Sequence, residues 1–241
     1  MIIARPSEQR GHADHGWLRA KHSFSFADYY DPAEMGWGVL RVINEDRVAP
    51  GMGFGTHGHR DMEIVTYILS GALEHKDSLG NGGVIRRGEV QRMSAGKGIM
   101  HSEFNPLPDQ ETHLLQIWIE PAQRGTPASY EQQELALDAM RGRWRLVASP
   151  DGADGSTTIG QDARLWASQL APGSALDYPL AAGRLGYVQV ISGRLRIIDA
   201  AGQAREFGPG DAGIIPAGFV GTFEVLEAVT KRYVMLDRPG E

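Results

Sequence analysis

This sequence predicts an all-β chain of sandwich or barrel type, and three observations predict it. The 31 glycines and 13 prolines are spread evenly, which marks many turns between short elements. Apolar runs recur at 38–43, 64–69, 113–120, 143–148, 164–170, 186–191, 194–198 and 232–236. They are rich in Val, Ile, Leu and aromatic residues and are bounded by Gly, Pro, Asn or Asp, the pattern of strands. Only 128–141, rich in Gln, Glu, Leu and Ala, predicts a helix.

At 241 residues, 41% hydrophobic and 22% charged, the chain can bury one large core or two average ones. A formal charge of −6 argues against a direct nucleic-acid or anionic-membrane surface. With no cysteine there is neither a disulfide framework nor thiolate chemistry. The first residues lack the apolar run of a signal peptide, and no segment approaches the roughly 18 apolar residues of a membrane span. A soluble, cytoplasmic protein is expected.

The glycines also carry a repeat. Ser70-Gly71-Ala72-Leu73 ends one apolar run, and Ser192-Gly193-Arg194-Leu195 ends another. Each is followed seventeen residues later by a second Gly-led turn, at Gly88 and at Gly210. Two similar β units account for this, 1–130 and 131–241, with the loop-like stretch 149–158 as an exposed connection.

The residues with chemistry sit in two triplets, His57-Gly58-His59 and His101-Ser102-Glu103. On a strand, residues two apart share a face, so each triplet can aim both of its ligand-type side chains into one cavity. Three nitrogen donors and one oxygen donor without sulfur suit Fe(II), Mn(II), Ni(II), Co(II) or Zn(II). Glu63 follows His59 by four residues and stands outside this set; an ion pair with Arg60 is expected for it.

The remaining candidates read more plainly. His12-Ala-Asp14-His15 reads as a solvated turn, and His75 and His113 as structural or exposed residues. Lys97, between two glycines, reads as a surface lysine. No Walker loop, nucleophile elbow or nucleophilic cysteine occurs.

Several stretches together resemble the cupin superfamily and, within it, the pirin family. They are His22-Ser-Phe-Ser-Phe-Ala-Asp-Tyr-Tyr30, Thr56-His-Gly-His-Arg60 with Glu63-Ile-Val-Thr-Tyr67, and Ser94-Ala-Gly-Lys-Gly-Ile-Met-His-Ser-Glu103. The resemblance covers the N-terminal half and is generic beyond 162. It implies a bicupin: two tandem antiparallel β-barrels of the jelly-roll type, with one or two short helices. The first would bind metal through His57, His59, His101 and Glu103, since pirin-like proteins take their carboxylate from the second motif.

The C-terminal counterparts, Pro179, Ala181 and Gly221, cannot ligate. The His22 stretch would pack its aromatics across the barrel mouth. The resemblance further implies one divalent ion, Fe(II) first, and quercetin 2,3-dioxygenase activity in a monomer. There a flavonol is cleaved by dioxygen to a depside and carbon monoxide, with Glu103 as ligand and catalytic base. The alternatives are a metal-binding regulator that meets a protein partner, and a metal-dependent isomerase or sensor.

Overall fold

Strands form where the apolar runs stand, and the runs of the larger sheets are buried nearly throughout, as Glu63–Ser70 is from Glu63 to Ile68, the pattern of strands covered on both faces. The computed structural model describes residues 2–177, 181, 183–226 and 233–239. Seven of the eight runs overlap strands throughout the described chain, from Leu40–Val48 to Leu195–Asp199, and the eighth is described from Tyr233 onward as Tyr233–Pro239. Among the described residues there is no α-helix, only the 3-10 turns Ser7–Gln9, Leu137–Met140 and Ala153–Gly155, so no helix is long and apolar enough to cross a membrane.

The helix expected at 128–141 is instead the strand Ser129–Glu134 followed by the turn Leu137–Met140. Pairing overrides propensity here. Ser129–Glu134 adds to the edge of Glu89–Ser94 in continuous antiparallel register. Arg92 then holds it from the side, donating to Ser129 Oγ at 2.6 Å and to Glu131 Oε2 at 2.9 Å.

The chain divides into two compact units. The first contains 10–135 with 157–161. Its larger antiparallel sheet runs Ser129–Glu134, Glu89–Ser94, Glu63–Ser70, Thr112–Ile119, Leu40–Val48, Leu18–His22, Gly11–Asp14 from edge to edge. Its smaller sheet runs Gly53–His59, Ile99–Phe104, Ala72–Asp77, Gly82–Arg86.

The second unit repeats this order. Its larger sheet contains Ile3–Arg5, Ala212–Ile215, Arg184–Val190, Tyr233–Pro239, Arg164–Ser168 and Arg145–Ser149. Its smaller sheet runs Ala175–Asp177, Gly221–Val225, Leu195–Asp199, Ala204–Phe207. By its contacts the first unit runs from Arg10 to Leu135 with 157–161, and the residues before Arg10 belong to the second unit. The reason is a strand pair: Ile3–Arg5 lies antiparallel on Ala212–Ile215, and Ile2 sits in that unit's core.

The repeat seen in the glycines is a repeat of turns. Gly71 and Gly193 have φ of +80° and +76°, and Gly88 and Gly210 have +91° and +83°, a region that L side chains rarely adopt. At Gly71 a Cβ would also meet the Glu111 carbonyl at 2.9 Å.

Candidate metal centre

The two histidine triplets lie on neighbouring strands of the smaller N-terminal sheet, with His101 directly opposite His57. A bulge between His101 and Glu103 lets Ile99–Phe104 keep strict alternation, so Ile99, His101 and Glu103 are buried while Met100 and Phe104 face out. Across the same strand, Asp77 stands opposite His101 and His75 opposite Glu103.

His101 Nε2 lies 2.9 Å from His59 Nε2 and 3.0 Å from His57 Nε2. His57 Nδ1 is 2.8 Å from the Gly55 carbonyl, which can only accept, so Nδ1 carries a proton and Nε2 is the lone-pair nitrogen of the neutral ring. His75 Nε2 is 2.9 Å from Asp77 Oδ2, and its Nδ1 faces His101 Nδ1 at 3.5 Å. With the His75 proton toward Asp77, His101 too points a bare Nε2 inward. Burial, then His57 beside it, holds His59 down at about 4. Burial with His57 and His59 holds His101 at about 3.

Lone pairs so close repel one another, and a cation between them is the partner they fit.

The expected residues are not equally close. His57, His59 and His101 form one group whose ligand atoms lie within 4.8 Å of one another, while Glu103 falls in a second such group with His75 and His101. Glu103 is 2% exposed, and both its oxygens are held, Oε1 by Gln91 Nε2 at 2.6 Å and Oε2 by Gln116 Nε2 at 2.8 Å. Each oxygen retains a further lone pair. Burial pushes this carboxyl up, against the opposing pull of His75 and Gln116.

Glu63 lies apart: it is buried and accepts from Ser94 Oγ at 2.6 Å, so Ser94 takes the place expected for Arg60. His75 is fully buried and stacked on Tyr130 at 4.4 Å. Its place beside the expected ligands is signalled only by its period-2 relation to buried Leu73. His113 pairs with Glu45 at 2.9 Å.

His57, His59 and Glu103 open onto a cavity of about 550 Å³, walled by Trp17, Phe26, Phe54 and Trp118. Phe26 meets Trp118 edge-on at 5.4 Å and His22 at 5.2 Å, so the His22 stretch does close the barrel mouth with aromatics. His22 itself lines the cavity and bonds Asn44 Oδ1 at 2.8 Å. The turn expected at 12–15 is partly strand, Gly11–Asp14, and His12 and His15 are exposed at the cavity edge.

A family model described as Pirin matches residues 3–119, and one described as Quercetinase C-terminal cupin domain matches 146–214. The chain is 49% identical over 197 residues to a quercetin 2,3-dioxygenase of Escherichia coli K12, covering 82% of this chain and 84% of that one. The chain belongs to the pirin family. A pirin-like protein of Caulobacter vibrioides is 45% identical over 208 residues, covering 86% of this chain and 89% of the other. The crystal structure of the bacterial pirin YhhW from Escherichia coli in complex with nickel(II) superposes with a TM-score of 0.92 at 41% identity, over 100% of both chains.

The second pirin barrel has no such centre among its described residues. Asp77 and Asp199 occupy the same turn: their backbone N–H groups donate to Asn81 and Gln203 carbonyls, and their Oδ1 atoms cap the N–H groups that follow. Asp77 faces His101 and Asp199 faces Gly221, so Gly221 is the counterpart of His101, as the spacing predicts. By the same register Phe223 stands for Glu103 and Ile197 for His75. A Cβ at Gly221 would lie 2.2 Å from the Ile198 carbonyl oxygen. Ala181 is exposed and in no strand, and Pro179 lies outside the described residues.

Proposed function

We propose that this pirin is a metal-dependent quercetin 2,3-dioxygenase whose one divalent ion is held by His57, His59, His101 and Glu103. The observation that carries the reading is the set of inward imidazole nitrogens, 2.9 and 3.0 Å apart, on the wall of an aromatic-lined cavity. The three nitrogen donors and one oxygen donor suit Fe(II) first, with Mn(II), Ni(II), Co(II) or Zn(II) able to replace it. The nickel(II) in the related pirin structure supports a divalent ion in a pirin.

When bound, the ion supplies Lewis acidity and an open position at which a flavonol and dioxygen can meet. The protein does the rest. Trp118, Phe26 and Phe54 take a flat aromatic between them and keep water out. Gln91 and Gln116 fix the Glu103 carboxylate, and burial raises its affinity for a proton. Glu103 is thereby suited to take the proton of the flavonol 3-hydroxyl. Dioxygen then enters the ring, one carbon leaves as carbon monoxide and the depside remains, with no other oxidant or reductant required.

Metal-loaded protein under anaerobic conditions should leave quercetin unbleached, and admitting air should start bleaching with carbon monoxide release. No turnover with iron, manganese, nickel or cobalt would overturn the assignment.

A further inference from the structure

The inner wall of the cavity holds one polar group that the protein leaves unused. Asn44 and Asp46 lie two apart on Leu40–Val48, share a face, and line the cavity together with Gln116 and Glu103. Three of these four have their hydrogen bonds. Asn44 Oδ1 pairs with His22 Nδ1 at 2.8 Å. Gln116 donates to Glu103 at 2.8 Å and accepts from Trp118 Nε1 at 3.1 Å, and Glu103 is held at both oxygens.

Asp46 differs. It is 5% exposed, and its buried Oδ1 has no hydrogen-bond partner among the described residues. Buried polar atoms are almost always paired, and the exceptions call for a reason. In a cavity the reason is a partner that arrives with the ligand. Burial, with Glu103 and Glu45 nearby, pushes the Asp46 carboxyl up to about 7, and in either protonation state the group has an oxygen that accepts from a ligand hydroxyl.

We propose that Asp46 anchors a hydroxylated aromatic ligand in this cavity by bonding one of its phenolic hydroxyls, other than the hydroxyl that meets the metal. The proposal rests on the flavonol reading of the same cavity and adds to it the residue that selects among flavonols. A carboxyl group left without its hydroxyl partner penalises the ligand that lacks it.

The test is anaerobic binding to metal-replete protein, read by quenching of tryptophan fluorescence. Quercetin and 3-hydroxyflavone, which keeps only the 3-hydroxyl, are compared in wild type, Asp46→Asn and Asp46→Leu. Wild type should prefer quercetin by about 10- to 100-fold. Asp46→Leu should bring the ratio close to one, and Asp46→Asn should retain part of it. A wild-type ratio near one, or an undiminished ratio in folded Asp46→Leu, overturns the anchor.

Should Asp46→Leu fold poorly, infrared difference spectra of wild type decide. An Asp46 carboxyl band, C=O or carboxylate, that is missing in Asp46→Asn should shift on adding quercetin and stay put with 3-hydroxyflavone. The absence of any shift overturns the proposal. Turnover without an Asp46-dependent preference removes the anchor and leaves the dioxygenase assignment standing. An Asp46-dependent preference without oxygen uptake does the reverse.

Discussion

Strand for strand the two barrels pair in the same order, yet their interiors follow opposite rules. Where the first carries His101, Glu103 and His75, the second carries Gly221, Phe223 and Ile197. Phe223 is fully buried and Ile197 is 1% exposed, and both belong to a core with Val188, Phe207 and Phe219 around them. The glutamine that grips Glu103 likewise has a glycine counterpart: counted from Gly88 and Gly210, Gln91 matches Gly213, whose missing Cβ would meet Phe207 at 3.3 Å and Ile197 at 3.5 Å. The difference teaches what the site requires of the fold. The same backbone positions serve either a hydrogen-bonded polar network or an apolar core that must be filled.

The comparison can be broken hardest at Phe223. Phe223→Glu places an unpartnered carboxyl in the second core and should cost more than about 4 kcal/mol in chemical denaturation. Metal content, if the protein survives, should remain at one ion per chain. His101→Ala attacks the other side. It should lower metal affinity by more than about 100-fold, measured by elemental analysis after dialysis, while Glu63→Ala leaves metal content near wild type.

A finer probe is Gln116→Leu, which removes one hold on Glu103. Metal affinity should fall by about 10-fold with the imidazoles intact; an unchanged affinity would mean that the glutamine does not position the carboxylate.

An effect of similar size concerns an ion-pair group built on the first barrel alone. Burial alone would raise the Glu45 carboxyl, but the hydrogen bond from His113 and the charge of Arg10 bring it down to about 2. A carboxyl depressed in the folded state contributes stability that is complete above its ordinary value near 4.5 and is lost as pH falls through about 2. Glu45→Gln should therefore cost on the order of 1–2 kcal/mol at pH 7, with the gap to wild type closing between those two values. A gap independent of pH would show that the carboxylate charge is not what stabilises.

The sequence made the larger-sheet strands legible through their continuous apolar runs, and the ligand-type triplets through their period-2 spacing. It hid Ser129–Glu134, whose Gln- and Glu-rich composition favours helix until the edge of a sheet claims it. Gln91, Gln116 and Asp46 were hidden for a related reason. Each is a single polar residue inside an apolar strand, and only the three-dimensional neighbourhood shows that it faces a cavity. His75 was obscured by its hairpin, and the Arg60 pairing expected for Glu63 failed because Ser94 is directly across the strand pair from it.

Gly221 finally bears on the history open to this molecule. With the Ile198 carbonyl and the Phe219 ring occupying the space of its side chain, no one-residue change there can give the second barrel a ligand. Backbone, neighbouring ring and two core positions would have to alter together, and each intermediate would be less stable than its parent. The asymmetry of the pair is thus fixed in the backbone: the second barrel is poorly placed to acquire a matching ligand set.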